Sequence, residues 1–154
     1  MPEDKRLVIG ADHAGFELKE ALKPVLARLG YSVDDVGAFS CDAVDYPDIA
    51  AEVARRVSTG AFARGILVCG SGIGMSIAAN RFPGVRAALC MDVETARLSR
   101  QHNNANILVL AGRRTGPDTA AAVMETWLQT PFEGGRHQRR LEKIAAIENS
   151  LKPV

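Results

Sequence analysis

Cysteine is scarce and unpaired in this sequence. Cys41, Cys69 and Cys90 make an odd number without a C-x-x-C pair. That excludes a disulfide framework and a zinc ribbon, so any important cysteine acts as a free thiol. No apolar run approaches the roughly 18 residues of a membrane span, and no membrane partner is expected. The start, MPEDKRLVIG, turns strand-like too early to hold a signal-peptide core, and a cytoplasmic location is expected. Charge of one sign is also missing: the formal net charge is +1, which gives no global field for nucleic acid or an anionic surface. Repeats, low-complexity tracts and interdomain linkers are absent, so residues 1–154 read as one domain with a full core.

What is present is a regular alternation. Short apolar runs at Arg6–Gly10, Tyr31–Val36, Gly65–Cys69, Val85–Met91 and Asn106–Ala111 read as five strands. Between them lie helical patterns at Phe16–Leu29, from about Asp48 to Ser58, from within the glycine stretch after Cys69, at Val93–Arg100 and from Pro117 to about Leu128. A last helix is expected over about 138–150. Uniformly apolar strands alternating with helices predict a parallel sheet covered on both faces. Such sheets bind ligands at the carboxyl ends of their strands. Polar or glycine-rich clusters fall there: Gly10–Gly15, Asp45-Tyr46-Pro47, Cys69–Gly74 and Gly112-Arg113-Arg114. Gln101-His102-Asn103-Asn104 instead precedes the last strand.

The familiar nucleotide motifs fail. Gly70 and Gly72 fit the start of a dinucleotide fingerprint, but Met75 stands at its third glycine and no acidic residue ends the next strand. Asp12 holds the middle-glycine position after the first strand, where a carboxylate would repel a pyrophosphate. Phe16 and Glu17 follow Gly15 in place of the Lys and Ser/Thr of a P-loop. Met75 also stands where a cysteine phosphatase loop carries its arginine. No H-E-x-x-H spacing occurs. His13, His102 and His137 are far apart, so a metal site requires convergence through the fold.

What remains is Cys69 at a strand end, followed by backbone N–H groups entering a helix. Those donors suit an anion and favour thiolate over thiol. A thiolate beside such a nest can attack an electrophile, or it can take a proton from carbon while the nest holds the enolate oxygen. The alternative is a buried cysteine packed as a small hydrophobe, which is the favoured reading for Cys41 and Cys90. Asp12 and His13 suit sugar hydroxyls or a purely structural role. His102 is a general acid or a helix cap. Arg136 and Arg140, four apart, share a helix face and form either a phosphate clamp or a solvated charged surface.

Together these pieces resemble the ribose-5-phosphate isomerase B / galactose-6-phosphate isomerase (RpiB/LacAB) family. The matching stretches are Gly10-Ala-Asp-His-Ala-Gly-Phe16, Asp45-Tyr-Pro47, Cys69-Gly-Ser-Gly-Ile-Gly74 with Ser76–Asn80, Leu98-Ser-Arg-Gln-His-Asn103 and Glu133-Gly-Gly-Arg-His-Gln138, in family order over nearly the whole chain. The resemblance implies a three-layer α/β/α Rossmann-like fold with a five-stranded parallel sheet and a C-terminal helix that packs on a partner subunit. It implies a homodimer, or a tetramer made of two dimers, with active sites at the interface. It implies reversible aldose–ketose isomerisation of ribose 5-phosphate and ribulose 5-phosphate through an enediolate, with no metal and no cofactor. A tetrose or hexose phosphate (erythrose 4-phosphate, allose 6-phosphate or galactose 6-phosphate) is the near alternative, and a non-catalytic phosphosugar-binding module is the remote one. By position, Cys69 is the proton-transferring base, His102 assists ring opening and Ser71 orients the substrate or the thiol. The amides of Gly70, Gly72, Ile73 and Gly74 hold the enediolate. Asp12, His13, Tyr46 and Asn103 contact the sugar, and His13, Arg113, Arg136 and Arg140 grip the phosphate. Some members carry Ser at position 69 with Glu at 75; here Cys69 stands with Met75, so the thiol version applies.

Overall fold

A computed structural model describes residues 3–153. Five parallel strands run β1 (Arg6–Ala11), β2 (Ser32–Asp35), β3 (Gly65–Cys69), β4 (Ala87–Leu89) and β5 (Ile107–Ala111). The helices are α1 (Phe16–Arg28), α2 (Tyr46–Ser58), α3 (Ile73–Ala79), α4 (Val93–Gln101), α5 (Pro117–Gln129) and α6 (Arg136–Ser150). The sheet order is β2-β1-β3-β5-β4. The central strands β3 and β5 are buried at every position, as their unbroken apolar sequences require of strands covered on both faces.

Successive residues serve opposite faces. Leu7, Ile9, Ile66, Val68, Leu108 and Leu110 pack with α1, α4 and α5 around Trp127, while Val8, Leu67, Cys69, Ile107 and Val109 pack with α2 and α3. Cys69 therefore faces the α2/α3 side at the carboxyl end of β3. The chain leaves β1 toward β2 on one side and returns to β3 on the other. The direction of winding changes between β1 and β3, and a crevice opens there at the strand ends.

Several element limits differ from the sequence expectation. The second and fourth strands are shorter because β2 and β4 are edge strands, each paired on one side only. Helix α2 begins at Tyr46, two residues early, because Asp45 adopts extended backbone and Pro47 fits the first turn. The last helix begins at Arg136, directly after Gly134 and Gly135 with positive φ. Among the described residues no helix is long and apolar enough to cross a membrane.

Candidate active site

The loops after β1, β3 and β5 meet at the start of α2. They line a cleft of about 560 Å³ with Asp12, His13, Tyr46, Cys69, Gly70, Ser71, Gly74, Arg113 and Arg114. The adjacency follows from the pairing register, which sets Ala11 beside Val68 and Cys69 beside Ala111. Asp12 is buried, and its Oδ1 accepts the N–H of Gly15 at 3.0 Å, which closes the turn after β1. His13 Nδ1 accepts the N–H of Val44 at 3.2 Å and so ties that turn to the loop before α2. Beyond β5, Arg113 donates its N–H to Gly70 O at 3.0 Å and lays its side chain beside Gly70.

The loop after β3 is shaped around the thiol. Cys69 is buried, and the N–H of Gly72 is aimed at its Sγ at 3.2 Å. Gly72 sits at φ 78°, a conformation that costs a residue with a Cβ about 1–2 kcal/mol. A Cβ there would also lie 2.4 Å from Leu89 Cδ1. The N–H of Ile73 is taken by Ser71 Oγ at 3.2 Å. This corrects the expectation of a continuous row of free amides: Gly72 serves the sulfur and Ile73 serves Ser71. The N–H groups of Gly70, Ser71 and Gly74 have no hydrogen-bond partner among the described residues. Tyr46 packs its ring against Gly74, where a Cβ would come within 2.6 Å of it.

His102, Asn103, Arg136 and Arg140 do not line this cleft. Helix α4 starts beyond the carboxyl end of β4 and runs back antiparallel, so its cap His102 lies at the opposite, amino-terminal end of the sheet. Within one chain the five-residue β5, spanning roughly 13 Å at about 3.3 Å per residue, separates His102 from the level of Cys69.

A second cluster surrounds His102. Its ring stacks on that of His137 with centroids 4.3 Å apart. Glu133 Oε1 lies 3.6 Å from His102 Nε2 and 3.7 Å from His137 Nε2. Burial, with His102 and Arg136 beside it, holds the His137 imidazole below its usual pKa. Sequence reasoning did not single out Glu133 or His137 as site residues; the single signal was that both flank Arg136. Asn103 borders a separate cleft of about 730 Å³ between α6 and the β4 edge. There the apolar side chains of Ile144 and Ile147 on α6 and of Leu151 just after it stand exposed.

A cysteine beside free amides and an arginine at the next strand end form one cluster, and the histidines form another. The model of the Ribose/Galactose Isomerase family matches residues 7–144. Ribose-5-phosphate isomerase B of Escherichia coli is 45% identical over 144 residues, covering 94% of this chain and 97% of that protein. The solved ribose-5-phosphate isomerase B of Clostridium thermocellum superimposes with a TM-score of 0.94 at 46% identity, covering 96% of this chain and 99% of the other. That of Mycoplasma genitalium, with bound ribulose-5-phosphate, gives 0.90 at 41% identity and covers 94% and 96%. With a match that runs from β1 into α6 and relatives of this identity along their whole length, the chain belongs to the ribose/galactose isomerase family.

Proposed function

We propose that this protein interconverts ribose 5-phosphate and ribulose 5-phosphate by proton transfer, in sites shared between two subunits. The observation that carries the reading is Cys69 Sγ at the β3 end, with an N–H aimed at it and free amides of the same loop alongside. A thiolate there takes the C2 proton of the opened aldose and returns it to C1. The hydroxyl proton passes from O2 to O1, so the carbonyl moves by one carbon without net oxidation. The amides of Gly70, Ser71 and Gly74 hold the enediolate oxygen in the intermediate. Asp12, His13 and Tyr46 border the sugar, and Arg113 approaches the phosphate.

The remaining groups come from a second copy. His102 of the partner subunit gives a proton to the furanose oxygen as the ring opens, with the partner's Asn103 nearby, and the partner's Arg136 and Arg140 complete the phosphate clamp. Two features support this arrangement: His102 lies at the wrong end of its own sheet, and apolar residues stand unpartnered. Ile73 and Ile77 are more than half exposed beside the cleft, as are Ile144 and Ile147 on α6 and Leu151 at its end, and surfaces of this kind mark contacts between chains. The reading carries a cytoplasmic location, with which three free cysteines agree.

Turnover of phosphorylated aldoses of four, five and six carbons tests the substrate. The expected result is the highest kcat/KM with ribose 5-phosphate. A higher value with a hexose or tetrose phosphate overturns the assignment of the sugar, and no turnover of any of them overturns the enzyme.

A further inference from the structure

The sequence spreads its three histidines along the chain, and the fold brings two of them together with a carboxylate. The candidate ligand atoms of His102, Glu133 and His137 all lie within 4.8 Å of one another. A four-coordinate Zn²⁺ with bonds of about 2.0–2.2 Å places adjacent ligand atoms roughly 3.3–3.5 Å apart. The two imidazole-to-carboxylate separations, 3.6 and 3.7 Å, are close to that value, and the stacked rings, 13° from parallel with centroids 4.3 Å apart, swing apart to aim both nitrogens at one ion. The backbone is already tied for it. The N–H of Glu133 donates to Gln101 O at 3.1 Å, which fixes the segment before α6 against the end of α4. The N–H of His137 donates to Gly134 O at 3.1 Å and starts α6 with the imidazole turned inward. His102 and Glu133 remain partly exposed, so an ion has a path in and room for a water in the fourth position.

We propose that His102, Glu133 and His137 form a site for a divalent transition metal, Zn²⁺ foremost, and that its occupation withdraws His102 from isomerisation. The second half rests on the role given to His102 above. Two neutral imidazoles and one carboxylate suit Zn²⁺ and its borderline neighbours Co²⁺, Ni²⁺ and Cu²⁺, and are poorly matched to Mg²⁺ or Ca²⁺, which take oxygen ligands. Binding replaces waters of the aqua ion by these three ligands and leaves the metal's charge unchanged. Arg136, next to His137, and Arg140, one turn further along α6, oppose a cation, which sets the affinity well short of that of a structural zinc site. A dissociation constant on the order of micromolar is expected. The site is therefore a reversible inhibitory one: zinc binds to the imidazole that ring opening needs.

The test is calorimetric titration of the chelator-treated full-length protein with Zn²⁺, with Co²⁺ absorption as a second readout, on wild type, His137→Asn and Glu133→Gln. The expected result is one ion per chain, a visible Co²⁺ spectrum without a sulfur-to-metal charge-transfer band, and at least a tenfold loss of affinity in each variant. Wild type binding Zn²⁺ no tighter than either variant overturns the site, and a thiolate band overturns it by placing the metal on a cysteine. Isomerase rates measured at the same Zn²⁺ concentrations should fall in step with occupancy. Binding that the variants lose, but that leaves the wild-type rate untouched, confirms the metal site and refutes the role of His102 in catalysis.

Discussion

Neither Cys69→Ala nor His102→Asn alone should isomerise ribose 5-phosphate efficiently, but a dimer built from one subunit of each should. General acid and base must both come within about 3 Å of a small substrate. In one chain they lie at opposite ends of β5, roughly 13 Å apart at about 3.3 Å per residue. An imidazole cannot cover that distance and still reach a ring oxygen whose C1–C2 edge sits over Sγ. In a two-fold dimer each site pairs Cys69 of one subunit with His102 of the other. A mixed dimer therefore has one site with both lesions and one site with neither. Random reassociation of equal amounts gives half mixed dimers, so the pool should show about a quarter of wild-type activity, and mixed dimers isolated through two different tags about half. The assay is ribulose 5-phosphate formation at saturating substrate, before and after exchange of subunits. A pool no more active than its parents would place both groups in one chain and refute the shared site.

Other outcomes follow from the fold. The ammonium of Lys19 is fully buried and donates to Asp35 at 2.7 and 2.9 Å and to Ala38 O at 2.5 Å. Lys19→Met should cost about 1–3 kcal/mol in urea denaturation, because Asp35 keeps Lys23 at 3.0 Å and the N–H of Gly37 at 2.9 Å while the buried Ala38 carbonyl loses its donor; a loss below about 0.5 kcal/mol would contradict this. Burial pushes the Cys90 thiol up to about 11. The unfolded thiol ionises near its ordinary value, so between pH 9 and 11 the unfolded state binds fewer protons and stability falls as pH rises. Wild type should lose roughly 2 kcal/mol more over this range than Cys90→Ala, measured by denaturant midpoints; equal losses would refute it.

The parts of the fold legible in the sequence were those set by local pattern. Gly65–Cys69 and Ile107–Ala111 read as central strands because every residue is apolar, and both are buried throughout. The edge strands read too long, since Tyr31, Val36, Val85 and Met91 have strand-like character but no second neighbour to pair with. The insertion of β5 between β3 and β4 has no local mark. At the site, the Cys69 loop could be read as an anion nest, but which amides stay free depends on φ 78° at Gly72 and on the Ser71 hydroxyl. The approach of His137 to His102 depends on the return of the chain after α5, which no spacing encodes.

The central claim is that Cys69 moves the hydrogen between C2 and C1. Ribose 5-phosphate deuterated at C2 in light water, followed by NMR, tests it most directly. Wild type should wash out the C2 label, and Cys69→Ala should bind the sugar phosphate while leaving that label in place. Loss of the label from Cys69→Ala at a wild-type rate would contradict the account.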